Sequence, residues 1–235
     1  MKISRTEFGH EYGTYQFGYC QYAELEKGDS VANFYAQGFL PYSANPKLQG
    51  LFYMARSARV ALPDFARTSE NRRIGRFFDG MFTRRTIAAE EARSDARVRD
   101  LFLTYFASRH GTEIMPEARL VGILSSPLPL QVHCYEKEGA LIAAAIEVSD
   151  GTFGHFWFSA YDLSYIHQSL GMWLMLDSTE HAKTAHYSHY YLGTVYGEKA
   201  LYKTNIQPMQ FWDGSTWDRN IEKLKSLARL EPKDK

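Results

Sequence analysis

Residues 153–208 constrain this chain more than any other stretch. The aromatic segment Phe153–Tyr161 reads as a strand and closes on Asp162 and a short polar turn. Ser169-Leu170-Gly171 then opens an apolar run that predicts a helix over 169–184. A second strand is expected over 188–195, and Tyr202-Lys203 follows before Pro208. A helix joining two strands buries its apolar side on them and leaves its N-terminal end open beside the first strand. The reaction centre is expected in this strand–helix–strand unit.

A chain of 235 residues is long enough for one large domain or two small ones sharing an interface. The 16 Tyr and 15 Phe favour wide strands. No apolar run approaches the length of a membrane span, and Met1-Lys2-Ile3-Ser4-Arg5 is not followed by the apolar core of a secretory leader. Cys20 and Cys134 are too few for a disulfide framework or a cysteine-only metal site, so a cytoplasmic, reducing setting is expected. The formal charge is zero, yet Arg56, Arg59, Arg67, Arg72, Arg73, Arg76, Arg84, Arg85, Arg93, Arg97, Arg99 and Arg109 fall in one lysine-free stretch. The planar guanidinium fork suits phosphate, which points to a polyanionic partner; a solvated helix face explains the same charges.

In chain order, Tyr12, Tyr15, Phe17, Gly18, Tyr19 and Tyr22 suit a strand or an aromatic-lined loop. A short helix is expected over 29–37 before Gly38, a loop over 41–50 and a strand over 51–62. Ser69–Phe78 is expected to separate Arg72, Arg73 and Arg76 from Ile74, Phe77 and Phe78 as an amphipathic helix does. A longer helix is expected over 86–110, stopped by Gly111. Beyond Pro116 strands are expected at 120–124, 130–135, 140–148 and Phe153–Tyr161, with Glu138-Gly139 and Asp150-Gly151 as hairpin turns. Trp217, Ile221, Leu224 and Ala228 recur at helical spacing before a charged tail. The fold class is α+β, with a smaller N-terminal α/β subdomain over 1–112 and a catalytic domain over 113–235.

Antiparallel strands followed by one helix and one further strand describe the C-terminal half of an acetyltransferase-like (GNAT) mixed sheet. In that fold the strands flanking the helix splay apart and expose backbone to an acyl donor. Donors of the coenzyme A type sit on a Gln/Arg-x-x-Gly-x-Gly/Ala turn whose backbone N–H groups meet pyrophosphate. Gln168-Ser169-Leu170-Gly171-Met172-Trp173 keeps the first glycine but places an indole at the last small position, which is expected to obstruct that approach unless it turns into the core.

Tyr161-Asp162, Ser169-Leu170-Gly171, Tyr191-Leu192-Gly193, Tyr202-Lys203 and Pro208 resemble, in order and spacing, the C-terminal half of the aminoacyl-tRNA–protein transferases. These are the arginyl- and leucyl-transferases of the N-end rule pathway. Arg109-His110 resembles the family, and Ser69-Glu70-Asn71-Arg72-Arg73-Ile74 with Arg76 resembles its basic Ser-x-x-Gln-Arg-Arg-Val helix. Gly18-Tyr19-Cys20 is similar to the Gly-Tyr-Cys start of the arginyl branch. The family's further N-terminal cysteines are missing, with Tyr53-Met54-Ala55-Arg56-Ser57 in their place. An iron–sulfur cluster needs several thiolates, so no cluster, metal or other cofactor is expected.

The resemblance implies aminolysis: the α-amine of an acceptor protein attacks the ester of an aminoacyl-tRNA carrying arginine or leucine, and the product is marked for degradation. The alternatives are a GNAT acyltransferase using coenzyme A or another carrier, and a non-catalytic relative that binds tRNA or degrons. Orientation supplies much of the rate, and about nine in ten α-amines are protonated at pH 7. Asp162 is the candidate proton acceptor. Tyr161 and Tyr202 are candidates for the acyl pocket or the developing oxyanion. Arg72, Arg73 and Arg76 are the candidate tRNA contacts, Lys203 a candidate for the acceptor-stem end, and Gly171 for the helix-start turn. Arginine would want a carboxylate, with Glu147, Asp162 and Glu198 as candidates, and leucine an apolar pocket. His155, His167, His181, His186 and His189 are scattered without a partner cysteine, and Cys134 reads as a small core residue.

Overall fold

The computed structural model describes residues 1–11 and 16–231. Tyr12 and Tyr15 of the aromatic start lie outside the described residues, as does the charged tail beyond 231. Strands β1 (Lys2–Glu11) and β2 (Gln16–Glu24) form a hairpin. Helix α1 (Val31–Ala36) follows, then β3 (Phe39–Pro41) and β4 (Leu51–Met54). These strands form an antiparallel sheet in the order β1-β2-β4-β3.

The chain then changes sheets. The strand expected over 51–62 is two: β4 ends at Met54, and β5 (Ser57–Ala61) joins a second, eight-stranded sheet. Helix α2 (Ser69–Phe78) is capped by Thr68, whose side chain accepts from Asn71 N at 3.2 Å. The helix expected over 86–110 is in fact strand, helix, helix: β6 (Thr83–Ala88), α3 (Ala89–Ser94) and α4 (Ala96–Arg109). The break falls at Asp95, whose carboxylate accepts from Arg97 N at 2.9 Å and so caps α4 while ending α3. The strand expected over 120–124 is helix α5 (Glu117–Leu124). Leu120, Ile123 and Leu124 all face inward there, a helical spacing that a five-residue apolar run does not separate from a strand.

Strands β7 (Leu130–Lys137), β8 (Ala140–Ser149) and β9 (Phe153–Tyr161) form a meander with the expected turns. Helix α6 (Leu170–Thr184) crosses to β10 (His189–Thr194). A 3-10 segment (Glu198–Asn205), β11 (Met209–Trp212), β12 (Trp217–Asp218) and helix α7 (Ile221–Leu230) complete the described chain. The large sheet runs β12-β11-β5-β10-β9-β8-β7-β6, antiparallel except for β9 and β10. The division at 112/113 falls inside this sheet, because β5 and β6 are hydrogen-bonded to strands that follow it.

The parallel pair is where the sheet opens. β9 and β10 pair only at His189↔Phe153, Tyr190↔Gly154 and Tyr191↔His155. Beyond that point each carries a bulge. Trp157 is the extra residue of β9 opposite Ile146 and Glu147, and Leu192 the extra residue of β10 opposite Arg59 and Ala58. A bulge adds local twist and bends its strand, so two of them at one level drive the strands apart. Gly193 follows the second bulge with φ near +80°, a conformation that costs an L side chain about 1–2 kcal/mol. The sheet thus opens under α6 into the gap expected of the GNAT mixed sheet.

Candidate active site

Two cavities meet at this opening. The splay cavity, about 430 Å³, lies between β9 and β10 and is walled by β3, β4, α4, α5 and the second half of the 3-10 segment. The helix-start cavity, about 380 Å³, lies between the first turn of α6, the end of β9, α2 and Arg109 of α4. Tyr105, Phe156, Ser159 and Tyr202 line both. The start of α6 and the sheet opening therefore meet across one wall of side chains.

Lys203 lines the splay cavity. Its Nζ donates to the carbonyl of Thr194 at 2.7 Å, and burial pulls its pKa down to about 8. A Cβ built at Gly193 would lie 3.6 Å from this Nζ and 3.8 Å from His155 Nε2, so both nitrogens converge on the glycine. His155 is buried, and its Nδ1 lies 2.8 Å from the Tyr35 hydroxyl. Burial, aided by the Lys203 charge, lowers its pKa to about 3, so the ring is neutral. In the tautomer in which the phenol donates to Nδ1, the ring proton sits on Nε2.

Tyr161 and Gly171 hold the helix-start cavity together. A Cβ at Gly171 would lie 3.0 Å from Tyr161 Cε1, so the glycine lets the first turn of α6 rest on that ring. Tyr161 in turn packs on Tyr105, ring centroids 4.7 Å apart. Tyr202 stands at the junction of the two cavities. The expected Tyr161, Tyr202, Lys203 and Gly171 are thus brought together.

Asp162 is not. Its carboxylate accepts from Ser164 N at 2.8 Å and starts a 3-10 turn; the Ser164 side chain first, and its backbone N–H second, hold its pKa below the usual carboxylate range, and the side chain lines neither cavity. Of the basic helix, Arg73 pairs with Glu70 at 2.6–2.8 Å and lines a third cavity of about 300 Å³ with the exposed Phe77. Arg72 donates to the carbonyl of Arg67 at 2.8 Å, and Arg76 is exposed on the same helix. Glu147 is buried in the sheet, where it accepts from the Tyr190 hydroxyl at 2.7 Å and lies 3.4 Å from His133. Neither it nor Glu198 lines either cavity. His155 and Arg119 escaped the sequence reading, one among scattered histidines and one just ahead of the segment read as strand over 120–124.

Trp173 turns into the core. Its ring packs against Phe78, Phe82 and Tyr135 at centroid distances of 5.4–5.8 Å, and its Nε1 donates to Asp79 at 3.0 Å. The indole therefore leaves the start of α6 open, and its bulk does not count against a pyrophosphate donor. Cys134 is buried in β7, and burial raises its thiol pKa to about 11. Among the described residues no three His, Cys, Asp or Glu side chains gather as metal ligands, and no helix is long and apolar enough to cross a membrane.

A family model for the acetyltransferase (GNAT) domain matches residues 66–204, from just before α2 to the end of the 3-10 segment. A curated relative, the aspartate/glutamate leucyltransferase of Hyphomonas neptunium (strain ATCC 15444), is 31% identical over 175 residues, spanning 69% of this chain and 67% of that protein. This chain belongs to the aminoacyl-tRNA–protein transferase family. Its core is a GNAT domain, and it is a transferase. Among solved structures it is similar to the C-terminal domain of a putative lysylphosphatidylglycerol synthetase from Agrobacterium fabrum, with 15% identity and a TM-score of 0.45 over 64% of this chain and 50% of that one. A conserved protein of unknown function from Bacteroides thetaiotaomicron VPI-5482 is 14% identical, with a TM-score of 0.46 over 71% of this chain and 56% of that one. The family match takes in Tyr161, Gly171, Tyr202 and Lys203, so the residues at the junction of the cavities belong to the transferase core.

Proposed function

We propose that this family member transfers leucine from leucyl-tRNA to the α-amine of an acceptor protein whose first residue is acidic, a mark for N-end rule degradation. The observation that carries this reading is the charge of the splay cavity. Lys203 and Arg119 bring positive charge to it, His110 and the neutral His155 line it as well, and no carboxylate does among the described residues. An arginyl side chain would find no anion there, whereas an acceptor's aspartate or glutamate would meet cations. Phe156, Met175 and Leu192 offer an apolar surface of the kind a leucyl group needs. Glu70 lines the helix-start cavity, but it is engaged by Arg73. The named activity of the curated relative points the same way.

In this mechanism the tRNA 3′ end lies along the start of α6, and its ester carbonyl faces Tyr202. The acceptor's nitrogen attacks that carbonyl carbon, the C–N bond forms, and the carbonyl oxygen becomes an oxyanion. Lys203 Nζ and the His155 Nε2–H stabilise this charge inside a site where such donors are worth far more than in water. Collapse breaks the ester C–O bond, and the proton lost by the amine ends on the departing ribose oxygen. Asp162 serves the turn rather than the reaction, so Asp162→Asn keeps transfer within about threefold of wild type; a loss near that expected for Lys203 would return Asp162 to the reacting atoms.

Arg72, Arg73 and Arg76 form the basic rim beside the helix-start cavity and contact tRNA phosphates in this reading. Arg73 engages Glu70 through Nε and Nη2, so its Nη1 can meet phosphate while the pair is kept. Each contact adds roughly −0.7 to −0.9 to the slope of log K against log salt. Replacing all three with alanine is expected to flatten the slope by about 2–3. An unchanged slope in a filter-binding titration assigns the phosphates elsewhere.

The reading is tested by incubating the protein with total charged tRNA and peptides beginning with Asp, Glu, Arg or Ala, then measuring mass shifts. A leucyl increment on the Asp and Glu peptides is expected. Because Trp173 leaves the start of α6 open, acetyl-coenzyme A belongs in the same panel: an acetyl increment without any aminoacyl increment would replace this reading with the coenzyme A one.

A further inference from the structure

We propose that Arg119 is the residue that binds the side-chain carboxylate of the acceptor's first residue. This rests on the transfer reading above and assigns a residue to one half of it. Arg119 sits on α5, in the wall of the splay cavity beside His110. Its Nη1 donates to the carbonyl of Ile114 at 2.8 Å and its Nη2 to Ser43 Oγ at 3.2 Å. Its Nε is buried and has no hydrogen-bond partner. Arg67, Arg73 and Arg97 each face a carboxylate, but no carboxylate pairs with Arg119 among the described residues.

The two bonds it makes go to neutral acceptors. They fix the plane of the guanidinium without compensating its charge, and they leave Nε–H and the remaining Nη hydrogens unused. An uncompensated, half-buried guanidinium is costly, and burial accordingly lowers its pKa. An arriving carboxylate relieves that cost through charge-assisted bonds from the remaining Nη hydrogens, since the buried Nε is out of its reach. Lys203 lies beside Gly193 at the sheet opening, whereas Arg119 reaches the cavity from α5, beside Ser43. One cavity thus holds one cation for the reaction and another for recognition. A pre-held, unpaired donor set also discriminates sharply, because an amide side chain leaves the charge unmatched.

The test is peptide affinity, read by calorimetry without tRNA, so that binding is measured apart from transfer. Wild type is expected to bind a peptide beginning with Asp about 100-fold more tightly than its Asn counterpart. Arg119→Gln brings that ratio to within about threefold of one, and in the transfer assay it raises KM for the Asp peptide while leaving KM for leucyl-tRNA unchanged. Ser43→Ala removes one bond that holds the guanidinium but not the guanidinium itself, and it keeps the preference. If Arg119→Gln fails to fold, Arg119→Lys retains the charge without the fork, and about a tenfold loss of the ratio is expected. Equal affinity for both peptides in wild type, an unchanged ratio in both Arg119 variants, or a rise in KM for leucyl-tRNA in place of the peptide overturns the assignment. A wild type that prefers the Asp peptide but transfers nothing fails the function proposed above and leaves Arg119 in place.

Discussion

Lys203→Met is expected to lower kcat for leucyl transfer about 10²–10³-fold, the usual cost of removing one donor from a developing oxyanion. The same change is expected to raise the melting temperature, because methionine fills the space without a charge to desolvate; gains of about 0.5–2 kcal/mol are common when such residues are replaced. A merely structural lysine would give the opposite pair, with activity retained and stability lost. The pH profile separates the two further. Lys203 titrates near pH 8, so its cationic role fades above that value. The acceptor α-amine, with a pKa also near 8, gains nucleophilicity over the same range. Wild-type kcat/KM is therefore expected to rise to about pH 8 and then fall, and the falling limb is expected to vanish in Lys203→Met. Stability carries its own signature. The native state gives up this proton near pH 8 and the unfolded chain near the ordinary 10.5, so the unfolded state binds more protons between those values and stability rises with pH across that window. Lys203→Met removes the rise.

The second large effect concerns the core beneath the helix-start cavity. Trp173→Ala is expected to cost about 3–5 kcal/mol, the range for emptying a buried aromatic site. The indole is 4% exposed and touches Phe78, Phe82 and Tyr135, so its removal loosens α2 and α6 from each other as well as from the sheet. Trp173→Phe keeps most of the packing but gives up the bond to Asp79, which retains Arg67 as a partner; about 1 kcal/mol is expected. Urea denaturation measures both. A cost below about 1 kcal/mol for the alanine variant would place the indole in the cavity wall instead. Because α6 rests on Tyr161 through Gly171, a displaced helix also carries the helix-start cavity with it.

The contrast between Trp173 and Lys203 shows what the sequence made legible. The strand–helix–strand order, the meander before it and the hairpin turns at Glu138-Gly139 and Asp150-Gly151 follow from local rules, and β7 through β10 match them closely. The bulges at Trp157 and Leu192 do not, because a bulge is defined by the partner strand's register and one strand's residues do not carry it. The direction of Trp173 depends on which helix lies across α6, and α2 supplies that neighbour from nearly a hundred residues upstream. Lys203 was legible as a residue but not as a buried one, since a Tyr-Lys pair ahead of Pro208 reads equally well as surface. His155 gained its meaning only from Tyr35 on α1, and Arg119 only once 120–124 proved helical and turned toward Ser43. Asp162 shows the reverse. Its position at a strand end suits a proton acceptor and a turn alike, and the bond to Ser164 spends its carboxylate on the turn.

The proposed reaction joins a leucyl ester to an acidic N-terminus at the sheet opening. The most direct measurement mixes the protein with equimolar leucyl- and arginyl-tRNA and a peptide beginning with Asp, and reads the first residue of the product by mass spectrometry. Leucine at the new N-terminus, at least tenfold over arginine, is the predicted result. Arginine in the product, or leucine attached equally well to a peptide beginning with Ala, would contradict the account.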